Sequence, residues 1–258
     1  MSDVRTQLGL LARRSIRRTL RQPALLVPSF AFPLILLAVN ASGLASATKL
    51  PGFPTDSYVD FAIGVTFMQG ALFAATTAGT EIASDIETGF LNRLSLTPLQ
   101  RPAMLLGQMA GAMVLALLGT LVYLAVGFAA GVHVEAGAPG VVVMVVLAML
   151  IALAFGSLGA VMALRTGSGE AVQGLFPLLF VTFFLSSLNL PRNLIEIDWF
   201  RTVATWNPVS YLIEGLRSLV LTGWDGTALA RGFGVALVIA TVGVTASAAL
   251  LRTRMERT

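Results

Sequence analysis

The chain has 258 residues, of which 56% are hydrophobic and 12% are charged, and its mean hydropathy is +0.83. A soluble domain carries about 25% charged residues, so the composition excludes an ordinary soluble protein. The net charge is +4, but the arginines lie in short runs between long apolar tracts. This pattern argues against a nucleic-acid surface and indicates topology signals and contacts with lipid headgroups.

The chain begins with an amphipathic segment, residues 1–22. Most of its apolar residues share one side of the predicted helix, and the other side carries Arg13, Arg14, Arg17, Arg18 and Arg21. We expect this helix to lie in the headgroup layer of a bilayer. An alternative is a positively charged flank that only sets topology, and both readings place the segment on the same side of the membrane.

Six apolar tracts are candidates for membrane spans, since about 20 apolar residues cross a bilayer as a helix. None of them contains Asp, Glu, Lys or Arg, and small residues that permit close helix packing recur in most. The tracts are 24–47, 61–80, 103–131, 140–164, 171–188 and 232–251. The sequence therefore predicts an all-α integral membrane protein with six transmembrane helices in one transmembrane domain.

The positive charges predict the orientation of the spans. With the N-terminus inside the cell, twelve of the 17 lysines and arginines fall in cytoplasmic segments and five fall outside. Because positively charged loops stay in the cytoplasm, both termini are expected there.

The connection between the second and third tracts, residues 81–101, carries acidic residues and then a short apolar run. A helix of about two turns is expected, with Thr88 as its cap and Pro98 ending it. Exposed apolar residues rimmed by charge favour docking onto another protein, although a solvated linker is the alternative. The candidate residues are Glu81, Asp85, Glu87, Gly89, Phe90, Leu91, Arg93 and Leu94.

The connection before the last tract, residues 189–231, is long, and Pro208 and Gly215 interrupt its apolar middle. We predict an external helical hairpin that re-enters the membrane where protein or a cavity covers it; a surface loop with interfacial aromatic residues is the alternative. Asn207 or Ser210 is expected to cap a helix in which Glu214 and Arg217 pair. The candidate residues are Trp206, Asn207, Pro208, Tyr211, Glu214 and Arg217.

Several kinds of chemistry have no residues to support them. The one lysine, Lys49, follows no glycine run, so a phosphate-binding loop is absent and the chain is not expected to be an ATPase or another enzyme. The one histidine, His133, and the lack of cysteine argue against a metal site. Because the spans contain no Asp, Glu, Lys, Arg or His, an ion-driven carrier is disfavoured. If the chain is part of a pump, the energy has to come from a partner.

Neutral polar and aromatic residues inside the spans are candidates for a substrate path, although helix packing is their commoner role. They are Phe67, Gln69, Gln108, Phe180 and Phe183. Such a lining suits an amphipathic or lipid-like cargo.

Two stretches carry a family resemblance. Glu81-x3-Asp85-x-Glu87-x-Gly89-x3-Arg93-Leu94-x3-Pro98 resembles the cytoplasmic signature of ABC-2 type permeases, and the block from Trp206 to Arg217 is similar to the one before their last span. With the N-terminal helix and the spans, the resemblance covers essentially the whole chain. It is nearest to permeases of the daunorubicin-resistance type.

The resemblance implies an exporter subunit in the bacterial plasma membrane that pairs with a second copy and with a separate ATP-binding subunit. That subunit binds ATP and magnesium, and this chain holds no cofactor. The region 87–96 is then the coupling helix, with sensitivity expected at Glu87 and Gly89. The family's usual basic residue beside its acidic position is replaced by Ile86-Glu87. Two alternatives are a self-sufficient ion-driven carrier and a non-transporting assembly or immunity protein.

Overall fold

The computed structural model describes residues 4–95 and 101–255, and within these ranges it contains helices and turns without a β-strand. We number the α-helices in chain order. They are α1 Val4–Leu20, α2 Pro23–Gly43, α3 Tyr58–Glu87, α4 Phe90–Ser95, α5 Arg101–Ala129, α6 Gly137–Thr166, α7 Gly169–Phe184, α8 Asp198–Trp206, α9 Pro208–Leu221 and α10 Gly226–Met255. Short 3₁₀ helices lie at Ala45–Lys49 and Arg192–Leu194. The all-α prediction is confirmed.

Five helices in the described ranges are long and apolar enough to cross a membrane, where the sequence predicts six spans. They are α2, α3, α5, α6 and α10. Helix α7 is apolar but has only 16 residues, a length of about 24 Å against a hydrocarbon core of about 30 Å. It ends at Phe184 and not at Leu188, because the side-chain amide of Asn207 donates to the carbonyls of Thr182 (2.6 Å) and Leu185 (3.0 Å) where the chain turns.

Helix α3 is the centre of the bundle. It has 30 residues and is longer at both ends than the predicted tract 61–80. Helices α2, α5, α6, α7 and α9 pack around it, and residues along its whole length, from Phe61 through Leu72 to Ile82, are fully buried. A helix that is buried on most of its surface has to be apolar on most of its surface. This explains why the sequence of α3 has the composition of a membrane span.

Glycines bring the central helices into close contact. A Cβ atom on Gly159 of α6 would lie 1.8 Å from the carbonyl oxygen of Ala75 on α3, and a Cβ on Gly243 of α10 would lie 1.9 Å from Oγ of Ser157 on α6. Such close approaches are possible only because glycine has no side chain. In lipid the hydrophobic effect does not drive helices together, and van der Waals packing at contacts of this kind does so instead.

The connection 189–231 contains α8 and α9, which form a helical hairpin with its corner at Asn207. Helix α9 is mostly buried, whereas Ala204 is the one residue buried in α8. Helix α9 lies against α10, since a Cβ on Gly232 would be 3.2 Å from both Cα of Gly215 and the carbonyl oxygen of Tyr211. Helix α10 begins at Gly226, six residues before the predicted tract.

Candidate functional site: a polar junction of α1, α3 and α5

Helix α1 packs lengthwise against the first half of α5. Its buried stripe is Leu11, Ser15 and Thr19, spaced one helical turn apart. Facing them are Gly107 and Gly111 of α5: a Cβ on Gly107 would lie 2.6 Å from Cβ of Leu11, and one on Gly111 would lie 2.2 Å from Oγ1 of Thr19. The predicted apolar side of α1 is therefore not its main packing face.

Asp85, near the end of α3, binds two arginines of α1. Arg14 donates to both carboxylate oxygens, at 2.8 and 2.7 Å, and Arg18 donates to Oδ1 at 3.1 Å. Gln108 of α5 adds a longer hydrogen bond to Oδ2, at 3.3 Å. Arg18 also donates to Oγ of Ser84, at 2.7 Å. The bidentate geometry with Arg14 is the stronger form of such a pair.

Glu81, one turn before Asp85, accepts hydrogen bonds from the hydroxyl groups of α1. Oγ of Ser15 donates to it at 2.6 Å and Oγ1 of Thr19 at 2.6 Å, and Ser15 accepts from the backbone amide of Gly111 at 2.9 Å. We call this cluster the polar junction. It consists of Arg14, Ser15, Arg18, Thr19, Glu81, Asp85 and Gln108.

The polar junction balances two acidic groups against two arginines at the edge of the bundle. The Asp85 side chain is 3% exposed, whereas those of Arg14 and Arg18 are 38% and 31% exposed. The hydrogen bonds to Asp85 raise the pKa of Arg14 above its ordinary value. The other three predicted headgroup residues are exposed; they are Arg13, Arg17 and Arg21. Of the five arginines, two therefore bind Asp85 and three lie on the exposed side of this segment.

Helix α4 follows α3 after two residues, Thr88 and Gly89. Thr88, predicted to cap α4, is the C-cap of α3, and its hydroxyl donates to the carbonyl of Ser84. Gly89 has φ +68°, a conformation that favours glycine, and a Cβ there would meet no atom within 4 Å. Leu91 is buried, with 2% of its surface exposed, so the expectation that Phe90, Leu91 and Leu94 are exposed together is wrong at Leu91. Its side chain joins an apolar cluster with Leu11. The side chain of Leu94 lies outside the described residues, as does the predicted end of the helix at Pro98.

The guanidinium of Arg14 covers the ring of Phe90, 3.9 Å from its centroid, and thereby connects α1 to α4 as a cation–π contact. Arg93 points to the exposed side of α4. Glu87 is exposed and accepts from the backbone amide of Gly169 at the start of α7, at 3.0 Å. The polar junction, α4 and the α6–α7 turn therefore lie at one end of the bundle.

The predicted hairpin residues form a second polar cluster, far along α3 from the first. Arg217 is buried and donates to the carbonyls of Phe61 (2.9 Å), Ser187 (3.2 Å) and Leu188 (3.1 Å). Its guanidinium also lies 3.5 Å from the centroid of the Phe61 ring. Glu214 forms its ion pair with Arg192. The predicted ion pair between Glu214 and Arg217 is therefore wrong.

The remaining hairpin residues lie near the corner of α8 and α9. Asn207 caps α9 as predicted, accepting from the amide of Val209 at 2.9 Å, and Pro208 is the first residue of that helix. Tyr211 donates to the carbonyl of Thr205 at 2.7 Å. Trp206 is 84% exposed, a position suited to lipid contact.

Of the predicted path residues, Phe67 and Phe183 belong to one apolar core cluster against which Phe180 packs, and Gln108 hydrogen-bonds to Asp85. Gln108 belongs to the polar junction, Phe67 and Gln69 are buried in the core on α3, and Phe183 is buried on α7 while Phe180 is only partly buried. A groove of about 440 Å³ opens between α2, α3 and α7. It is lined by Ala24, Pro28, Phe73, Thr76, Thr77, Thr80, Gln173, Phe176 and Pro177.

Sequence reasoning missed Ser15, Thr19 and the role of Gln108. The signal that was available is the spacing Gly107-x3-Gly111 at the start of the third tract, which is typical of close helix contacts in membranes. Within the described residues, no group of three or more His, Cys, Asp or Glu side chains is arranged to hold a metal ion.

Comparison with known proteins gives consistent matches. Residues 6–221 match the family described as ABC-2 type transporter. The chain is 28% identical over 211 residues to the daunorubicin resistance ABC transporter permease protein DrrB1 of Streptomyces coeruleorubidus, covering 79% of this chain and 70% of that protein. It is 26% identical over 157 residues to a probable doxorubicin resistance ABC transporter permease protein DrrC of Mycobacterium tuberculosis, covering 59% and 56%.

A putative transport permease, ycf38 of Porphyra purpurea, is 20% identical over an alignment of 266 positions, which covers 98% of this chain and 91% of that protein. The family match extends from α1 into the end of α9 and therefore includes the polar junction and α4. This chain belongs to the ABC-2 type transporter family.

Proposed function

We propose that the chain is the membrane subunit of an ATP-driven exporter, working in a bacterial plasma membrane with both termini in the cytoplasm. A separate subunit binds ATP and magnesium and docks on α4. Two of the relatives are named for resistance to daunorubicin and to doxorubicin, and the groove between α2, α3 and α7 has both aromatic and neutral polar lining residues. A hydrophobic or amphipathic cargo is therefore the expected class of substrate here.

The observation that carries this proposal is how α4 is attached. Leu91 is buried and anchors α4 in the apolar cluster, and the guanidinium of Arg14 lies over the ring of Phe90. Gly89 joins α4 to the end of α3. A short helix held in this way moves with α1 and α3 and not as a loose loop.

Force applied to α4 has a direct route into the bundle. Arg14 connects Phe90 to Asp85, and Asp85 lies on the helix around which most of the other helices pack. Packed helices move as rigid bodies between discrete arrangements. Closure of an ATPase dimer against α4 would thus tilt α3 relative to its neighbours, which is the step that export requires.

The groove between α2, α3 and α7 is the proposed substrate path. Threonine hydroxyls and Gln173 supply neutral polar groups beside the rings of Phe73 and Phe176, which suits an amphipathic molecule. Helix α2 forms one wall, and its outer face, with Val27, Ile35 and Val39, is exposed. We propose that a second copy of the chain packs on this face and closes the groove.

Charge reversal on α4 tests the docking proposal. The chain is co-expressed with the ATP-binding subunit encoded beside it, and co-purification and ATP turnover are measured. We expect the exposed Arg93 to face an acidic group of the ATP-binding subunit. Arg93→Glu should then reduce both about tenfold or more, because like charges across an interface cost several kcal/mol. Arg17→Glu, an equally exposed change on α1 at the same end, is the control and should retain both.

If wild type binds no such subunit, or if Arg93→Glu behaves like Arg17→Glu, docking through α4 is refuted. Substrate transport driven by an ion gradient in the absence of the ATP-binding subunit would support the ion-driven carrier instead. Stable binding without any substrate-dependent ATP turnover would support the assembly protein.

A further inference from the structure

A second cleft lies at the opposite end of the bundle, between the α8–α9 hairpin and α10. Its volume is about 740 Å³, within the range of small-molecule sites. Its two ends differ chemically. Arg192 and Arg231 lie toward one end, and the wall along α10 is formed by Gly234, Val235, Val238 and Ile239.

The position of Arg231 along α10 places it at the membrane surface. Residues 232–251 are uncharged, and Arg252 follows them. These 20 residues span about 30 Å as a helix, which equals the thickness of the hydrocarbon core. Arg231 therefore lies in the headgroup layer of the leaflet away from α4, while Val235, Val238 and Ile239 lie progressively deeper.

The hairpin covers the cleft from the headgroup level inward. Tyr211 is level with Gly232, as the 3.2 Å approach of its carbonyl oxygen shows. Pro208 lines the same cleft as Ile239, which is eight residues or about 12 Å beyond Arg231 along α10. The cleft thus runs from the surface into the apolar layer, with cationic groups at its mouth.

The mouth of the cleft is positively charged. Arg192 is held by Glu214 and its guanidinium lies 4.6 Å from the centroid of the Tyr211 ring, so its charge is balanced and its position fixed. Arg231 is exposed and forms no ion pair with the described residues, and α10 carries no acidic residue over Gly226–Met255. The mouth therefore has an excess of one positive charge at the depth expected for lipid headgroups.

We propose that this cleft binds an anionic phospholipid, with the phosphate at Arg231 and Arg192 and one acyl chain along Val235 and Val238. A basic residue at the surface attracts anionic lipid, and the apolar wall below it matches an acyl chain in both depth and direction. This site is distinct from the groove proposed for cargo and is independent of the exporter proposal.

The test titrates purified full-length protein with phosphatidylglycerol or with phosphatidylcholine of the same acyl chains, and counts bound lipid by native mass spectrometry. Wild type should prefer phosphatidylglycerol by about fivefold, the effect of one basic residue near an anionic headgroup. Arg231→Gln should abolish that preference. Gly234→Leu should weaken binding of both lipids by filling the cleft, since a Cβ at Gly234 meets no atom within 4 Å and the fold is preserved.

Two matched variants control for charge and bulk. Arg201→Gln removes another exposed arginine from the same end, and Gly174→Leu adds the same side chain at a helical glycine of α7 that also faces open space. Both should bind lipid like wild type. Equal binding of the two lipids by wild type, or a Gly234→Leu variant that binds normally, would overturn the proposal. Displacement of the lipid by millimolar inorganic phosphate would also overturn it, because the site would then recognise the anion alone.

Discussion

Replacing Asp85 by Asn tests whether the polar junction holds α1 onto α3. The substitution keeps the side-chain shape but removes the charge that Arg14 and Arg18 share. Removing one partner of a buried ion pair costs about 3–5 kcal/mol. Because the two arginines remain 38% and 31% exposed, water can solvate them in part, and we expect a smaller loss of about 2–3 kcal/mol in the attachment of α1.

Amide hydrogen exchange across residues 11–19 measures this attachment. A loss of 2–3 kcal/mol should raise the opening constant of α1 by about 30- to 150-fold, since 1.4 kcal/mol corresponds to a factor of ten. The control is Asp198→Asn, which removes an ion pair with Arg201 whose side chains are 88% and 46% exposed. Exposed pairs contribute about 0–1 kcal/mol, so exchange of α1 should be unchanged in that variant.

A rise below about fivefold in Asp85→Asn would refute the reasoning, because α1 would then be held by its contacts with α5 and by the hydrogen bonds to Glu81, without a contribution from Asp85. The double variant Arg14→Gln/Asp85→Asn adds a further check. Its loss should be smaller than the sum of the two single losses, since both changes remove the same interaction.

Two further predictions concern glycines. Gly159→Ala should lower the unfolding temperature by about 2–10 °C, because the new Cβ would lie 1.8 Å from the carbonyl oxygen of Ala75 and overpacking costs about 1–3 kcal/mol. The control Gly174→Ala adds a Cβ in open space and should leave the unfolding temperature unchanged. Equal unfolding temperatures of the two variants would contradict the close contact between α3 and α6. With the ATP-binding subunit that we propose as partner, Gly89→Val should lose ATP turnover while Gly89→Asn retains most of it, because asparagine tolerates a φ of +68° far better than a β-branched residue. Equal turnover in the two variants would show that this backbone geometry is not needed for coupling.

The pattern of the sequence was enough to predict the elements that depend on local composition. Apolar tracts without charge define helices in lipid because every backbone group has to be satisfied within the segment, and the five long spans follow directly. Asn207, one of the two predicted caps, caps α9 because that position needs a side-chain oxygen that accepts from a backbone amide.

Contacts between segments that are far apart in the chain could not be predicted from the sequence pattern. Ser15 and Glu81 are 66 residues apart in the chain, and the sequence around either residue does not identify its hydrogen-bond partner. Arg14 and Arg18 look the same as Arg13 and Arg17 in sequence, yet only the first two face Asp85, because the rotation of α1 is fixed by Leu11, Ser15 and Thr19 against α5.

The sequence by itself determined the class of protein, the positions of its long spans and the charged ends of the bundle, since these follow from transfer of apolar and charged groups between water and lipid. Only the tertiary structure decided that Leu91 is buried, that Glu214 pairs with Arg192, and that Arg217 binds backbone carbonyls. These contacts depend on which helices pack against each other. Glycines allow a short distance between two helices, but the sequence does not say which two helices are paired.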